Sequence, residues 1–452
     1  MTQPDRTAVE ELRKQVDGPV FAAGEPGLAE EVSGFQLAVT HDPAVVVGAT
    51  SVADVVAAVR WAAGQRLPVA VQSTGHAPIR PADGLLVTTG RMRAVSVDPG
   101  RRVATATAGT RWADVVAVTA EHGLVPLSGS SSGVGVVGYT LTGGVGPLAR
   151  AYGFAADHVT RLELVTAGGS VRQVTAESDP ELFWALRGGK GHFGIVTEIE
   201  FGLVPVARLA GGALYFDGAD ADRLLRTYRS WTATLPERTT TSFGLLRAPD
   251  LPMVPPPLRG RLSVLLSVAH DGPLDEAERL LRPMLDAGTV LLGGIELLAP
   301  GDFDRIHNDP TTPGASWDGG LVLRSLADPT IDALMAVAGP GVSTVVTGVE
   351  LRHLGGALRR EPAVPAALPG REGEFAVFVL GVLAPPVAAA VPAAGRAVLD
   401  ALRPWALPTR LVAFAGDADP REVYGPEMLA RLLRVKDTVD PDDLFRSGGA
   451  LR

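Results

Sequence analysis

The chain has no cysteine. That absence removes disulfides, thiolate zinc sites, iron–sulfur clusters and thiol nucleophiles together. Aromatic residues are scarce, at 5%, and no Lys/Arg run is interleaved with them, so the basic stacking surface that nucleic acid requires is missing. A formal net charge of −9 argues the same way, because an acidic surface repels polyphosphate. No run of about 18 apolar residues occurs, which leaves no membrane-spanning candidate and no membrane partner. Residues 1–15 carry charges where a signal peptide would need its apolar stretch, and a cytoplasmic protein is expected. The eight histidines form no ligand-spaced cluster, and no metal is expected.

What remains is globular in balance: 452 residues, 46% hydrophobic and 20% charged. That length exceeds one ordinary core and predicts two domains, or one with a large insertion. Residues 43–72 read as strand, helix, strand: Ala44 to Val47 and Leu67 to Val71 are β-rich. Between them Ser51 is placed to cap a helix whose Val52, Val55, Val56 and Val59 share one face. Alternating strands come next, around turns at Asp98-Pro99-Gly100 and Ala167-Gly168-Gly169-Ser170. Beyond Val206 longer strands, such as Leu262 to Val268, alternate with amphipathic helices, such as Leu274 to Leu285. The tail holds a helix from Glu427 to Lys436 and an Asp440-Pro441 turn.

Three glycine clusters lie in the first block. Gln72-Ser73-Thr74-Gly75-His76-Ala77 ends the second strand of the strand–helix–strand unit, where loops commonly meet ligands. Small residues there let several backbone N–H groups converge on a diphosphate; an ordinary turn with a surface histidine is the plain alternative. Gly133-Val134-Gly135-Val136-Val137-Gly138 matches the dinucleotide fingerprint in letters, with Asp157 at the expected distance. A serine-rich stretch precedes it, and Gly143, Gly144 and Gly146 break any helix after it, so it fits a loop lying along an extended cofactor better than a strand-to-helix turn. The third, Arg187-Gly188-Gly189-Lys190-Gly191-His192, stops a helix before a strand at Ile195. Gly129-Ser130-Ser131-Ser132-Gly133 has the letters of a serine-hydrolase elbow but not its strand-to-helix setting.

In this order and spacing, residues 69–76, 83–87, 143–153, 187–197 and 435–446 resemble the vanillyl-alcohol oxidase and p-cresol methylhydroxylase flavoproteins, in the berberine-bridge-enzyme-like branch. The resemblance covers nearly the whole chain. It implies an α+β fold: a two-subdomain FAD-binding (PCMH-type) domain over residues 1–205, an antiparallel-sheet-and-helix substrate domain over 206–404, and a segment 405–452 that returns to complete the FAD-binding domain.

It also implies FAD bonded covalently to His76. Many relatives carry a cysteine at the position of Ser131, so here one covalent bond is the limit. The cofactor-binding residues it implies are Gln72, Ser73, Thr74, Gly75, His76 and Ala77; Ser130, Ser131, Gly135, Gly138 and Tyr139; Gly143, Gly144 and Gly146; and Ile195 and Val196. Gln72 and Thr74 depart from the family loop, and Tyr139 stands where relatives often carry a histidine. Glu350, Arg352 and Tyr139 are the catalytic candidates. Period-two geometry puts Glu350 and Arg352 on one face of a strand and His353 on the other, and Glu350 is the candidate base. Relatives often place a tyrosine base at the position of Leu429, which leucine cannot replace.

The leading function is therefore an FAD-dependent oxidase acting by hydride transfer on a small organic substrate, such as a natural-product intermediate, with O2 as acceptor. A flavin-dependent dehydrogenase or cyclase is the alternative within flavoproteins. A non-catalytic nucleotide- or glycan-binding protein is the alternative outside them, and a homodimer stays open.

Overall fold

The computed structural model describes residues 4–76, 81–446 and 451. Its first sheet grows from the strand–helix–strand unit read above. Val45–Gly48 is buried at every position, helix Val52–Gln65 comes next, and Val69–Gln72 closes the unit. The Ser51 hydroxyl caps the helix, accepting the Asp54 N–H at 3.2 Å. The two strands do not pair with each other. Leu85–Thr88 lies between them, parallel to both, because its Leu85, Leu86 and Val87 offer no polar face and suit the centre of a parallel sheet.

The second sheet has five antiparallel strands in the order Val95–Asp98, Val103–Thr107, Ile195–Gly202, Val159–Val165, Val171–Val174. Both hairpins expected from their turns form, with Val97 opposite Ala104 and Leu162 opposite Val174. Helix Pro180–Leu186 ends at Arg187, whose buried guanidinium donates to the carbonyls of Ala156, Val364 and Pro365, stapling distant segments together.

The third sheet has eight strands, all between Leu209 and Val382. Helices Ala221–Thr232, Leu274–Ala287, Asp328–Ala338 and Val391–Leu402 cover one face. There Tyr228, Leu281, Leu334 and Leu399 pack on Phe243, Val264, Val349, Leu351 and Val377. Alternation sends Glu350 and Arg352 to the opposite face. That face meets the glycine-rich segment: Arg352 Nη1 donates to the Val145 carbonyl at 3.5 Å, and the Ser132 N–H and hydroxyl donate to Asp304 at 2.9 and 2.6 Å.

The expected tail helix lies inside Pro420–Val439, which is kinked at Gly425 ahead of Pro426. Beyond it the chain returns to the first sheet, where the Val69 N–H donates to the Leu444 carbonyl at 2.7 Å. A buried ion pair fixes this return. Lys436 Nζ donates to Asp440 at 2.5 Å and to the carbonyls of His192 and Phe445 at 2.8 Å each, while Asp440 accepts the Leu444 and Phe445 N–H groups at 2.8 Å.

Candidate active site

Gly75 adopts φ +65° with its Cα against Gly34, so a side chain at either position would strike backbone. The loop is zipped to that neighbour: the Phe35 and Gln36 N–H groups donate to the carbonyls of Thr74 and Gly75 at 3.0 and 2.9 Å. Gln72 is buried. Its amide oxygen accepts from His41 Nε2 and its nitrogen donates to the Val32 carbonyl, each at 3.0 Å. Both ends of the Gln72 amide are thus engaged within the protein, which leaves its backbone as the part of Gln72 free to face a cofactor. The Ala82 N–H donates to His41 Nδ1 at 3.1 Å, which fixes His41 as the tautomer protonated at Nε2.

Ser73 differs: its hydroxyl is buried with no protein partner. Thr74 Oγ1 accepts the Gly135 N–H at 3.3 Å and stands 2.9 Å from His76 Nδ1, joining the first glycine cluster to the second. The His76 ring stacks on Phe35 at 4.0 Å. Burial, aided by the Arg111 charge, pushes its pKa down to about 4. Ala77 lies outside the described residues.

In the second cluster Gly135 precedes a short helix, Val136–Leu141, and no strand leads into it. Asp157, the acid that a dinucleotide site would need, is instead held by Arg371 at 2.5 Å. The dinucleotide match therefore fails on context, as its flanking residues indicated. Gly138 is exposed, with nothing within 4 Å of where a Cβ would stand. Ser130 and Ser131 are half-buried beside it in sequence. Gly143, Gly144 and Gly146 turn their Cα hydrogens to protein rather than open space. A Cβ on Gly144 would stand 2.4 Å from the Tyr139 ring, and one on Gly146 would stand 1.9 Å from the Ser128 carbonyl. The smallness of Gly144 and Gly146 admits Tyr139, which also lies edge-on to Trp112 at 5.5 Å, while Gly143 faces Leu368. The Tyr139 hydroxyl is buried without a protein partner, and burial pushes its pKa up although Arg352 opposes the shift. Ile195 and Val196 are buried, each in a hydrophobic core.

On the sheet side, Arg352 Nε donates to Glu350 at 3.0 Å, and His307 Nδ1 stands 3.5 Å from the same carboxylate. Burial works against the Glu350 charge, yet Arg352, His307 and a hydrogen bond with Ser242 outweigh it and hold the carboxyl well below its usual range. Glu350 is thus an anion with three partners and a weak base by itself. His353 leaves by the opposite face, as expected, and meets Arg150. One row across the sheet runs Tyr215, Leu265, Gly244, Glu350, Phe378 and Gly320, so apolar groups flank the acid. Leu429 is packed in the core that contains Phe183 and Leu432. At the seam with the third glycine cluster, burial pushes the Asp318 carboxyl up to about 6, reinforced by Asp417 and opposed by Lys190.

The structure thus brings Ser73, Thr74, His76 and Gly135 together, and separately Tyr139, Glu350 and Arg352. Sequence reading passed over His41, Phe35 and His307. No local pattern marks them, because each acts on a partner far away in sequence.

Residues 43–175 match the model of an FAD binding domain. The (R)-6-hydroxynicotine oxidase of Paenarthrobacter nicotinovorans is 28% identical over 433 residues, covering 89% of this chain and 90% of that protein. The uncharacterized FAD-linked oxidoreductase YgaK of Bacillus subtilis is 26% identical over 292 residues, covering 63% of this chain and 62% of its own length. Among solved structures, BBE-like 1 of Physcomitrella patens superposes with a TM-score of 0.85 at 19% identity, covering 98% of this chain and 99% of that one.

Residues 43–175 thus match an FAD binding domain, and the chain is similar to proteins named as FAD-linked oxidoreductases and oxidases. Its fold is that of BBE-like 1 and of 6-hydroxy-D-nicotine oxidase.

Proposed function

We propose that the chain is an FAD-dependent oxidase that holds its cofactor through His76 and meets a small organic substrate with Glu350, Arg352 and His307. FAD, when bound, takes a hydride equivalent from the substrate and passes the electrons to O2, giving peroxide. The reading rests on one observation: the unpartnered buried hydroxyls of Ser73 and Tyr139 and the open Gly138 border one glycine-rich segment, which Arg352 reaches at Val145. Backbone donors, Ser73 and Thr74 suit a diphosphate there, and Tyr139 suits a polar edge of the ring or its chain.

In this reading, Nδ1–H of His76 donates to Thr74 Oγ1, and Nε2 is the nitrogen that would carry the flavin. Thr74, although a departure from the family loop, thereby orients the anchor. Attachment needs a neutral imidazole. A histidine at its usual value of about 6.5 is mostly protonated by pH 5.5; one near 4 is not. Covalent uptake of FAD by unloaded protein is expected to stay level from about pH 8 to 5 and to fall as the pH drops through about 4. Flavin fluorescence on acid-precipitated polypeptide, after loading across that range, measures it. A midpoint near 6.5 would remove the role given to burial.

Glu350 holds His307, whose ring takes the hydroxyl or amine proton of the substrate, while Arg352 keeps Glu350 ionised. Hydroxyls and cyclic amines are the first groups to try, given the hydroxynicotine oxidase relative. A second reading, a dehydrogenase or cyclase with little oxygen turnover, draws on the core-packed Leu429. Anaerobic mixing with a panel of alcohols, sugars, cyclic amines and polyketide intermediates, then exposure to air, separates the two. Bleaching that air reverses quickly with peroxide supports the oxidase; slow reversal supports the second reading.

A further inference from the structure

We propose that the cleft behind the strand Gly348–His353, on the helix-covered side of the large sheet, binds a small oxyanion through Arg150 and Arg359. The cleft holds about 480 Å³ and is lined by Arg150, Arg229, Arg359, Arg360 and His353, with Glu237 and Glu374 as its acidic groups. That volume suits a small molecule bearing a phosphate or carboxylate as well as a free ion.

Arg150 carries the argument. It is 5% exposed, yet its Nε is buried with no partner. Among the described residues no carboxylate comes within ion-pair distance of it. Its Nη1 stands 2.5 Å from Nδ1 of His353, a ring that burial and the charges of Arg150 and Arg359 keep neutral, so His353 accepts the bond without supplying charge. A guanidinium largely withdrawn from water without a counter-charge is unfavourable, and an anion in the cleft would supply the missing charge. Its planar fork matches the paired oxygens of phosphate or carboxylate.

The neighbouring charges leave the cleft cationic. Arg360 engages Glu237 at 2.8 Å and Arg229 engages Asp328 at 2.6 Å, whereas Arg359 has no ion pair among the described residues. Glu374 is exposed at the rim. Four arginines thus converge on a surface of a chain whose net charge is −9. Gly355, with open space where a Cβ would stand, and Gly356, packed against the Arg150 carbonyl, form one wall. The cleft is a different cavity from the pocket at Arg352 and His307: His353 borders both, and no other lining residue is shared.

Calorimetric titration of the FAD-loaded protein tests this, since loading fills the other anion-binding loop. The probes are inorganic phosphate, glucose 6-phosphate and citrate, with glucose and potassium chloride at matched ionic strength as controls. Saturable binding of at least one anion is expected, with no response to glucose or chloride. Tightest binding by glucose 6-phosphate assigns a phosphorylated metabolite, by citrate a carboxylate, and by phosphate the free ion. Arg359→Gln, on an exposed residue, is expected to weaken binding about tenfold, the loss of one charge-assisted hydrogen bond. Arg150→Lys, which keeps the charge but not the fork, is expected to weaken it similarly, and Arg279→Gln, far from the cleft, to leave it unchanged. Absence of saturable binding by all three anions, or binding indifferent to both Arg359→Gln and Arg150→Lys, overturns the proposal. Protein that takes up no FAD but still binds anion in an Arg359-dependent way would sink the flavin reading and leave this one standing.

Discussion

Glu350→Gln is expected to slow anaerobic bleaching of the flavin by substrate about 10²–10⁴-fold, the usual contribution of a positioned acid–base group, with flavin content unchanged. The carboxylate is the shared partner of Arg352 at 3.0 Å and His307 at 3.5 Å. Glutamine keeps the shape but removes the charge that orients His307, and it leaves the half-buried Arg352 without its nearest anion. His307→Gln is expected to fall within the same range, because the two residues act as a unit and their effects do not add. Arg352 and His307 hold Glu350 below its usual range. Protonation of Glu350 therefore adds no acid limb to the rate at or above about pH 4.3, the ordinary glutamate value. Stopped-flow measurement across pH decides. A loss under tenfold in Glu350→Gln would remove the carboxylate from the mechanism.

The largest stability effect is expected at the tail. Asp440→Ala should lower the unfolding free energy by about 3 kcal/mol, the lower end for breaking a buried pair, because it removes the nearer carboxylate of Lys436, whose side chain is 1% exposed, and leaves only Asp443 at 3.3 Å. It also removes the acceptor of two N–H groups that place Leu444 and Phe445 against Val69. Urea denaturation measures the loss. Lys436→Met with Asp440→Ala should recover part of it, since no lone charge then stays buried. A double variant less stable than the single one would mean that the pair matters by shape rather than by charge.

Much of this architecture was legible because it is local. Ser51 before a valine face, and glycine turns between alternating strands, each state their structure within a few residues. The alternation that sends Glu350 and Arg352 one way and His353 the other is equally local. What stayed hidden depends on crossings of the chain. Nothing near Gln72 announces that His41 and Val32 consume its amide. Thr74 reads as a lost glycine until Gly135 and His76 converge on its hydroxyl. That Gly144 and Gly146 make room for the Tyr139 ring and the Ser128 carbonyl is likewise invisible in their own neighbourhood of sequence. His307 comes just after a short helix in sequence and reaches the site only because that helix packs under the sheet.

The loop at His76 carries the central claim, and the absorbance and fluorescence of the purified protein before and after acid precipitation test it most directly. The expected result is a yellow protein with a two-band flavin spectrum, whose fluorescence stays on the precipitated wild-type polypeptide and washes off the His76→Ala variant. Flavin that washes off the wild type as well would contradict the bond at His76. A colourless protein that takes up no FAD on reconstitution would contradict the account as a whole.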